Sequence, residues 1–202
     1  MAITRQKIVA ALNVRLKRAE TMATLEEYID GALKAISGMA RWSDMRTSSD
    51  VAIVAGTSYI LAPSGMRELD AIVPTVDGRL DKPLTPQTLE WIRQHQVRVS
   101  ARGIPRDFCR RGNLIDLYPV CDRNVTLTVH YWQWHPLGDQ ILFSDPFQEA
   151  IYSLVQANYL EGKGLLADPK YAQCLQKFQQ EISGPAASIV ELPEPTTQIN
   201  NA

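Results

Sequence analysis

The spacing of apolar residues changes twice along this chain, and this limits the folds that it can adopt. Leu25, Ile29 and Leu33 recur at the spacing of one helical face. Between Val125 and Tyr131, apolar and polar residues alternate, as they do in a strand with one buried side. Helical spacing returns beyond Pro146. This order predicts an α+β fold in which both ends of the chain form a helical bundle around an inserted antiparallel β domain.

Two helices are predicted before Trp42. The first buries one face, formed by Ile8, Val9, Leu12 and Leu16. The second is expected to begin at a capping box of Thr24 and Glu27 and to end at Gly38.

Turn residues predict three hairpins in the middle of the chain. One joins residues 51–53 to 59–61 around Gly56. The dipeptide Asp77-Gly78 supplies the positive φ that a tight turn requires, and Arg111-Gly112-Asn113 predicts a further turn.

Three N-cap signals that contain proline predict further helices. They are Thr85-Pro86, Asp145-Pro146 and Asp168-Pro169. The expected buried faces are Leu89 and Ile92 in the first, Phe147, Ile151, Leu154, Val155 and Asn158 in the second, and Tyr171, Cys174, Leu175, Phe178 and Ile182 in the third. A short loop containing glycine predicts that the last two helices form an antiparallel pair.

The strand that begins at Val125 carries aromatic residues on both sides. Its apolar face includes Tyr131, whereas Trp132 and Trp134 fall on the opposite face. A second apolar face in a soluble protein indicates a subunit interface, so both tryptophans are candidate interface residues.

The last twenty residues, 183–202, have three prolines and no basic residue. Such a segment cannot form a core by itself. Ile189, Val190 and Leu192 are its candidate contacts with a partner, for example as a strand added to a neighbouring sheet edge. The predicted organisation is residues 1–46 as N-terminal helices, 47–142 as the β-rich insertion, 143–182 as a helical hairpin and 183–202 as an extended arm.

Composition excludes several classes of protein. The formal net charge is −1, so no global field attracts nucleic acid or membranes. Three cysteines without a CxxC motif predict free thiols rather than a disulfide framework. No stretch approaches the roughly twenty apolar residues that span a bilayer, and we expect the protein to function without secretion.

The sequence contains no recognisable catalytic or metal-binding constellation. His95, His130 and His135 lack metal-ligand spacing and are predicted to be structural. Cys109 lies among arginines that could lower the pKa of its thiol, but no histidine is near it in sequence. We therefore predict that the protein is not an enzyme and has no cofactor or metal.

The N-terminal segment is basic, with five cationic side chains and no acidic residue before residue 19. They are Arg5, Lys7, Arg15, Lys17 and Arg18. A solvated helix face and a contact with a negatively charged partner are both consistent with this run.

Four segments together resemble the head–tail adaptor proteins of tailed bacteriophages. They are the glycine-tyrosine-proline run of residues 53–63, residues 104–119, the strand 127–132 with Pro136-Leu137, and the helix after Asp145-Pro146. The order of helices, tryptophan, β insertion and helices is also similar to the tail tubular protein A class of adaptors. The similarity covers roughly residues 24–180, and Ala62 departs from the pattern of the first segment.

The resemblance implies a structural protein of the virion neck, assembled in the host cytoplasm. Such adaptors form a ring, usually twelve-fold, that binds the portal and the next neck or tail protein. The genome passes through its lumen, and the C-terminal arm commonly reaches the portal. A different hypothesis is a virion-associated module that binds carbohydrate or a receptor through Tyr131, Trp132 and Trp134. Burial of these rings would distinguish the two.

Overall fold

The computed structural model of the protein describes residues 3–76, 78–98, 101–138 and 140–184. The described elements are five α-helices and eight strands, which confirms the α+β class. They divide into two units. The helical unit contains the described residues up to Met45 and from Trp134 onward, and the strand unit is Arg46–Gln133.

The helical unit has four α-helices and two short 3-10 helices. The α-helices are α1 (Arg5–Leu16), α2 (Met22–Met39), α4 (Gln148–Gly162) and α5 (Pro169–Ser183), and the 3-10 helices are Ser43–Met45 and Asp145–Phe147. Helices α1, α2 and α5 all pack against α4. The N-terminal and C-terminal helices therefore share one core.

Helix α4 is covered on every side. All eight consecutive residues of 150–157 are buried, and eight residues span more than two turns. The predicted single buried face is therefore wrong, because three helices pack around residues 150–157 and bury all of them. Only Asn158 of that predicted face is half-buried.

One carboxylate links three helices. Glu149, in the first turn of α4, accepts hydrogen bonds from Arg15 of α1 at 2.8 and 3.1 Å and from Lys177 of α5 at 2.7 Å. Burial acts to raise the pKa of Glu149, but the hydrogen bonds from these two cations outweigh it and lower the pKa below its usual value. Helices α4 and α5 pack together across the short connection of residues 163–168, and Lys177 in the second half of α5 reaches the first turn of α4, so they run antiparallel, as predicted.

The helix ends differ from those expected. Thr21 caps α2, accepting a bond from the backbone N–H of Thr24 at 3.4 Å, so the helix begins one turn before the predicted capping box. The helix passes through Gly38 and ends at Met39. The prediction for α5 is confirmed: Asp168 accepts a bond from the Lys170 N–H at 2.9 Å and Pro169 follows it.

The strand unit contains two four-stranded sheets. The first has the order β1-β8-β3-β4 and the second β2-β7-β6-β5. The strands are β1 (Arg46–Ile53), β2 (Tyr59–Leu61), β3 (Met66–Val76), β4 (Arg79–Leu80), β5 (Thr85–Pro86), β6 (Asp107–Arg111), β7 (Leu114–Tyr118) and β8 (Val125–Gln133), with helix α3 (Leu89–Arg98) after β5. All pairs of named strands are antiparallel except β5–β6, which is parallel, so the second sheet is mixed.

Two of the three predicted hairpins are confirmed. Strands β3 and β4 pair antiparallel across a turn that includes Gly78, whose φ is 75°, while Asp77 lies outside the described residues. Strands β6 and β7 pair across Gly112-Asn113. The predicted hairpin around Gly56 is wrong, because β1 pairs with β8 and β2 pairs with β7 in the other sheet.

Thr85 and Pro86 begin no helix, contrary to prediction. They form β5, where the Thr85 N–H donates to the Arg106 carbonyl at 2.7 Å. The helix starts at Leu89, and the Thr88 hydroxyl accepts from the Trp91 N–H at 3.2 Å. The dipeptide Thr-Pro is compatible both with the start of a helix and with a short edge strand. Here it forms a strand, because it pairs with β6.

The predicted alternation of β8 is confirmed. Its apolar positions, including Leu127 and Val129, are fully buried in the core of the strand unit together with Ile72, Ile115 and Leu117. β8 lies between β1 and β3 and is hydrogen-bonded on both sides.

Gly31 and Gly38, both in α2, provide a matched test of packing. A Cβ on Gly31 would lie 3.7 Å from the Asn158 amide, an ordinary contact, whereas on Gly38 it would lie 2.8 Å from Trp134 Cζ3. We expect Gly31→Ala to raise the free energy of unfolding by about 0.5–1 kcal/mol through helix propensity. Gly38→Ala should be at least about 1 kcal/mol less stable than Gly31→Ala, because the indole has to move. Urea denaturation measures both, and equal stabilisation by the two substitutions would contradict this packing.

Candidate functional site

Two of the three predicted structural histidines have hydrogen-bond partners, as expected. The His135 Nδ1–H donates to the Pro136 carbonyl at 2.8 Å, and its Nε2 accepts from the Leu142 N–H at 3.1 Å. This arrangement requires a neutral ring. His95 Nδ1 bonds to the Trp91 carbonyl at 2.8 Å, and the two rings stack with centroids 3.8 Å apart.

The described part of the chain contains neither a metal cluster nor a membrane span. Within residues 3–76, 78–98, 101–138 and 140–184, no group of three His, Cys, Asp or Glu residues is placed to hold a metal ion. No helix in those ranges is long and apolar enough to cross a membrane.

Cys109 does not have the activated thiol that its neighbours in sequence suggested. Its residue is 8% exposed, and burial, followed by the nearby Asp116 carboxylate, raises the pKa of the thiol against the opposing effect of Arg111. The Arg111 guanidinium pairs with Asp116 at 3.2 Å, and Arg110 donates to the Arg67 carbonyl at 3.0 Å. The local arginines thus bind other groups, and the suggestion of a lowered pKa is wrong.

The predicted basic N-terminal side chains do not form one surface. Arg5 is buried, and Arg15 and Arg18 bond within the helical unit. Lys17 is exposed with a φ of 53° at the C-terminus of α1, and Lys7 is half-buried. The partners of the three arginines are, in order, the Asp30 carboxylate with the Gly138 carbonyl, the Glu149 carboxylate, and the Tyr159 hydroxyl.

The three aromatic candidates have different environments. Tyr131 and Trp132 are 7% and 4% exposed, so neither offers a stacking face to solvent. In the strand unit, the Arg46 guanidinium lies 5.8 Å from the Trp132 ring and pairs with Asp70 at 2.8 Å. Trp134, in the helical unit, is 38% exposed.

Besides Trp134, the helical unit exposes other large apolar side chains. Leu137 is 79% exposed and lines a shallow groove along α2, and Met39 at the end of α2 is 55% exposed. Trp134 was predicted from the sequence as an interface residue, whereas Leu137 and Met39 were not. The exposure of Leu137 could have been predicted from the Pro-Leu-Gly turn that contains it, because turns lie at the surface.

The strand unit also has an exposed apolar edge. β2 is the outermost strand of its sheet, and its Tyr59 and Leu61 are 54% and 64% exposed. An edge strand with large apolar residues is a surface on which other chains can pair. The remaining predicted contact residues, Ile189, Val190 and Leu192, lie outside the described residues.

Several large apolar side chains of the described residues are exposed. They include Leu137 along the groove of α2 and Tyr59 and Leu61 on the β2 edge. An exposed apolar surface of this kind favours contact with another protein.

The comparison with known families identifies the kind of structural protein. A family model described as SU10 adaptor protein matches residues 3–191, so the chain belongs to the SU10 adaptor protein family. This confirms the resemblance to phage head–tail adaptors, and it assigns the chain to a family of virion structural proteins. None of the curated proteins compared with the chain matches it.

The buried histidine makes stability depend on pH. Burial, with a smaller contribution from Arg5, lowers the pKa of His135 against the effects of Pro136 and Asp30. The unfolded chain binds a proton near its ordinary pKa of about 6.5, while the folded chain does not, so stability falls as the pH drops below that value. We expect His135→Gln to reduce the dependence of unfolding free energy on pH between about 7 and 5.5. A difference from wild type that stays constant over this window would contradict the prediction.

The raised thiol pKa predicts slow labelling of Cys109. Iodoacetamide at neutral pH should modify Cys109 much more slowly in the folded protein than in urea, because the thiol is buried and protonated. Peptide mass spectrometry measures the rate. If Cys109 in the folded protein were labelled much faster than the buried Cys121 in the same sample, the prediction would be contradicted.

Proposed function

We propose that the protein forms a closed ring beneath the portal of a tailed phage and joins the DNA-filled head to the next neck or tail protein. The observation that carries this proposal is that the family match extends over residues 3–191 and includes both the helical and the strand units. The adaptor role thus involves the whole chain. The ring is expected to be twelve-fold, in the neck of the virion, after assembly in the host cytoplasm.

The exposed apolar residues support ring formation. A ring needs a heterologous interface, in which two different surfaces of each subunit meet and the rotation closes. The helical unit offers Trp134, Leu137 and Met39, and the strand unit offers the β2 edge. Trp134 remains the stronger of the two tryptophan candidates, because Trp132 is already covered within the chain.

Charge pairing supports a role as a genome conduit. Each cation that binds a phosphate adds affinity that would retard moving DNA. Arg5, Arg15, Arg46 and Arg111 are paired with carboxylates of the chain itself. With a net charge of −1, such a protein can surround DNA without holding it strongly.

A carbohydrate- or receptor-binding module is less well supported. It needs Tyr131, Trp132 and Trp134 as one exposed platform, but the first two are buried. A sugar could not stack on either ring without opening the core of the strand unit.

The proposal predicts association that depends on the portal. Mixed with purified portal, the protein should form a complex with the mass of a portal plus a ring of subunits, and alone it should remain a monomer. Native mass spectrometry distinguishes these states. A chain truncated after Gly184 should keep its helical circular dichroism, because α5 ends at Ser183, yet lose attachment to the portal.

A full-length variant provides the matched control. Ile189→Ser, Val190→Ser and Leu192→Ser together test whether the apolar residues of the arm carry attachment, while Asn200→Ser in the same segment should have no effect. Normal assembly of the truncated chain would refute the role of the arm. Failure of the full-length protein to associate with portal would refute the ring proposal.

A further inference from the structure

A polar pocket lies between three helices of the helical unit. Its volume is about 330 Å³, and its lining includes Arg15 from α1, Ser153 and Gln156 from α4, and Lys170 and Lys177 from α5. Ser153 and Gln156 are 1% and 7% exposed, so they form the floor. The resemblance to adaptors assigns no role to this pocket.

The floor carries a polar atom without a partner. The Ser153 Oγ has no hydrogen bond within the described part of the chain. A buried hydroxyl without a hydrogen bond destabilises the folded protein, and an acceptor oxygen of a ligand bonded to it would remove that cost. A ligand with an acceptor oxygen therefore suits the floor of the pocket.

The walls carry an excess of positive charge. Arg15 and Lys177 share one carboxylate, that of Glu149. Lys170 has no ion pair with a described residue, and the nearest acid in sequence, Asp168, caps the backbone of α5. Three cations against two carboxylates leave one positive charge, which favours an anionic ligand.

A carboxylate on a peptide fits this shape better than duplex DNA. The unpartnered hydroxyl lies at the bottom of a concave site, and a glutamate can extend into it on its flexible stem. Phosphates on the broad convex surface of a duplex would reach the rim but not the floor. The negative charge of an acidic peptide also complements the excess positive charge of the walls.

The chain itself carries such a peptide. Residues 185–202 contain Glu191 and Glu194 and no lysine, arginine or histidine. They follow Gly184, the C-cap of α5, and the α5 residues Lys170 and Lys177 are seven apart and so share the face that lines the pocket.

The residues after Gly184 are also long enough to reach back along α5 to the pocket. From Cys174, in the pocket wall, to Ser183 the helix rises about 14 Å. The seven residues from 185 to 191 span up to about 23 Å when extended. Glu191 can therefore reach the pocket of its own chain.

We propose that this pocket binds the acidic stretch Glu191–Glu194 of the same chain, with a glutamate carboxylate between Lys170, Arg15 and Lys177. In the isolated protein the arm is then held against α4 and α5, where the native thiol of Cys174 lines the same pocket. The inference concerns the free protein and is independent of ring formation and of the portal.

Cross-linking in the full-length chain tests the location. Leu192→Cys keeps both glutamates, and mild oxidation should join the introduced thiol to Cys174 within a monomer. Trypsin cleaves after Lys170 and Lys177, so the linked peptides are 171–177 and 178–202, which mass spectrometry identifies. Cys109 and Cys121 serve as internal competitors, and Gln198→Cys is a position control that should cross-link less.

Charge substitutions test the chemistry. In the Leu192→Cys background, Glu191→Lys with Glu194→Lys should abolish most of the product, and adding Lys170→Glu should restore part of it. Glu26→Lys with Glu27→Lys changes the net charge equally on the exposed side of α2 and should leave the yield unchanged. Circular dichroism checks that each variant folds. Absence of a link between Cys174 and the introduced thiol, equal linking of that thiol to Cys109 or Cys121, or linked dimers only would overturn the proposal.

Discussion

The burial of the middle of α4, residues 150–157, is the constraint on which the helical unit depends. A helix covered on all sides cannot be stable unless its neighbours are present, and they come from both ends of the chain. Aromatic contacts join the same parts, since Trp42 packs edge-on against Phe147 with centroids 5.0 Å apart and Tyr28 against Tyr159 at 5.7 Å. The helical unit therefore folds only after residues 46–133 have been synthesised, because its last two helices follow them in the chain. The helices from the two ends of the chain then form one body with a common core.

Polar contacts in the helical unit fix how the helices are aligned against α4. Burial of α4 alone would permit rotation or sliding of its neighbours, because apolar contacts are not directional. Glu149 fixes α1 and α5 at one end, and Tyr159 bonds to Arg18 and Glu20 at the other. Such partly exposed ion pairs contribute little stability individually. Their effect is to select one arrangement of the helices among several with similar apolar burial.

Features set by local chemistry could be predicted from the sequence, and features set by distant partners could not. The alternation of β8, the Asp168-Pro169 cap and the hairpin at Gly112 depend on neighbouring residues, and all three were predicted correctly. The failed hairpin at Gly56 depended on which sheet each strand joined. The basic N-terminal run failed as a surface for the same reason: Arg5 and Arg15 bind carboxylates 25 and 134 residues away, and no local pattern contains that information.

The sheet edges show how the strand unit limits where neighbours can pair. β1 is a long edge strand, yet three of its four exposed positions, Arg46, Ser48 and Asp50, are polar, and Asp50 accepts a hydrogen bond from the Thr128 hydroxyl at 2.7 Å. Polar and charged residues on an edge oppose pairing with another chain. β2 is only three residues long, which limits the register of any added strand, but Tyr59 and Leu61 give it an apolar surface. A strand that pairs with β2 would therefore have few possible registers and a small contact area, whereas the polar residues of β1 oppose pairing there.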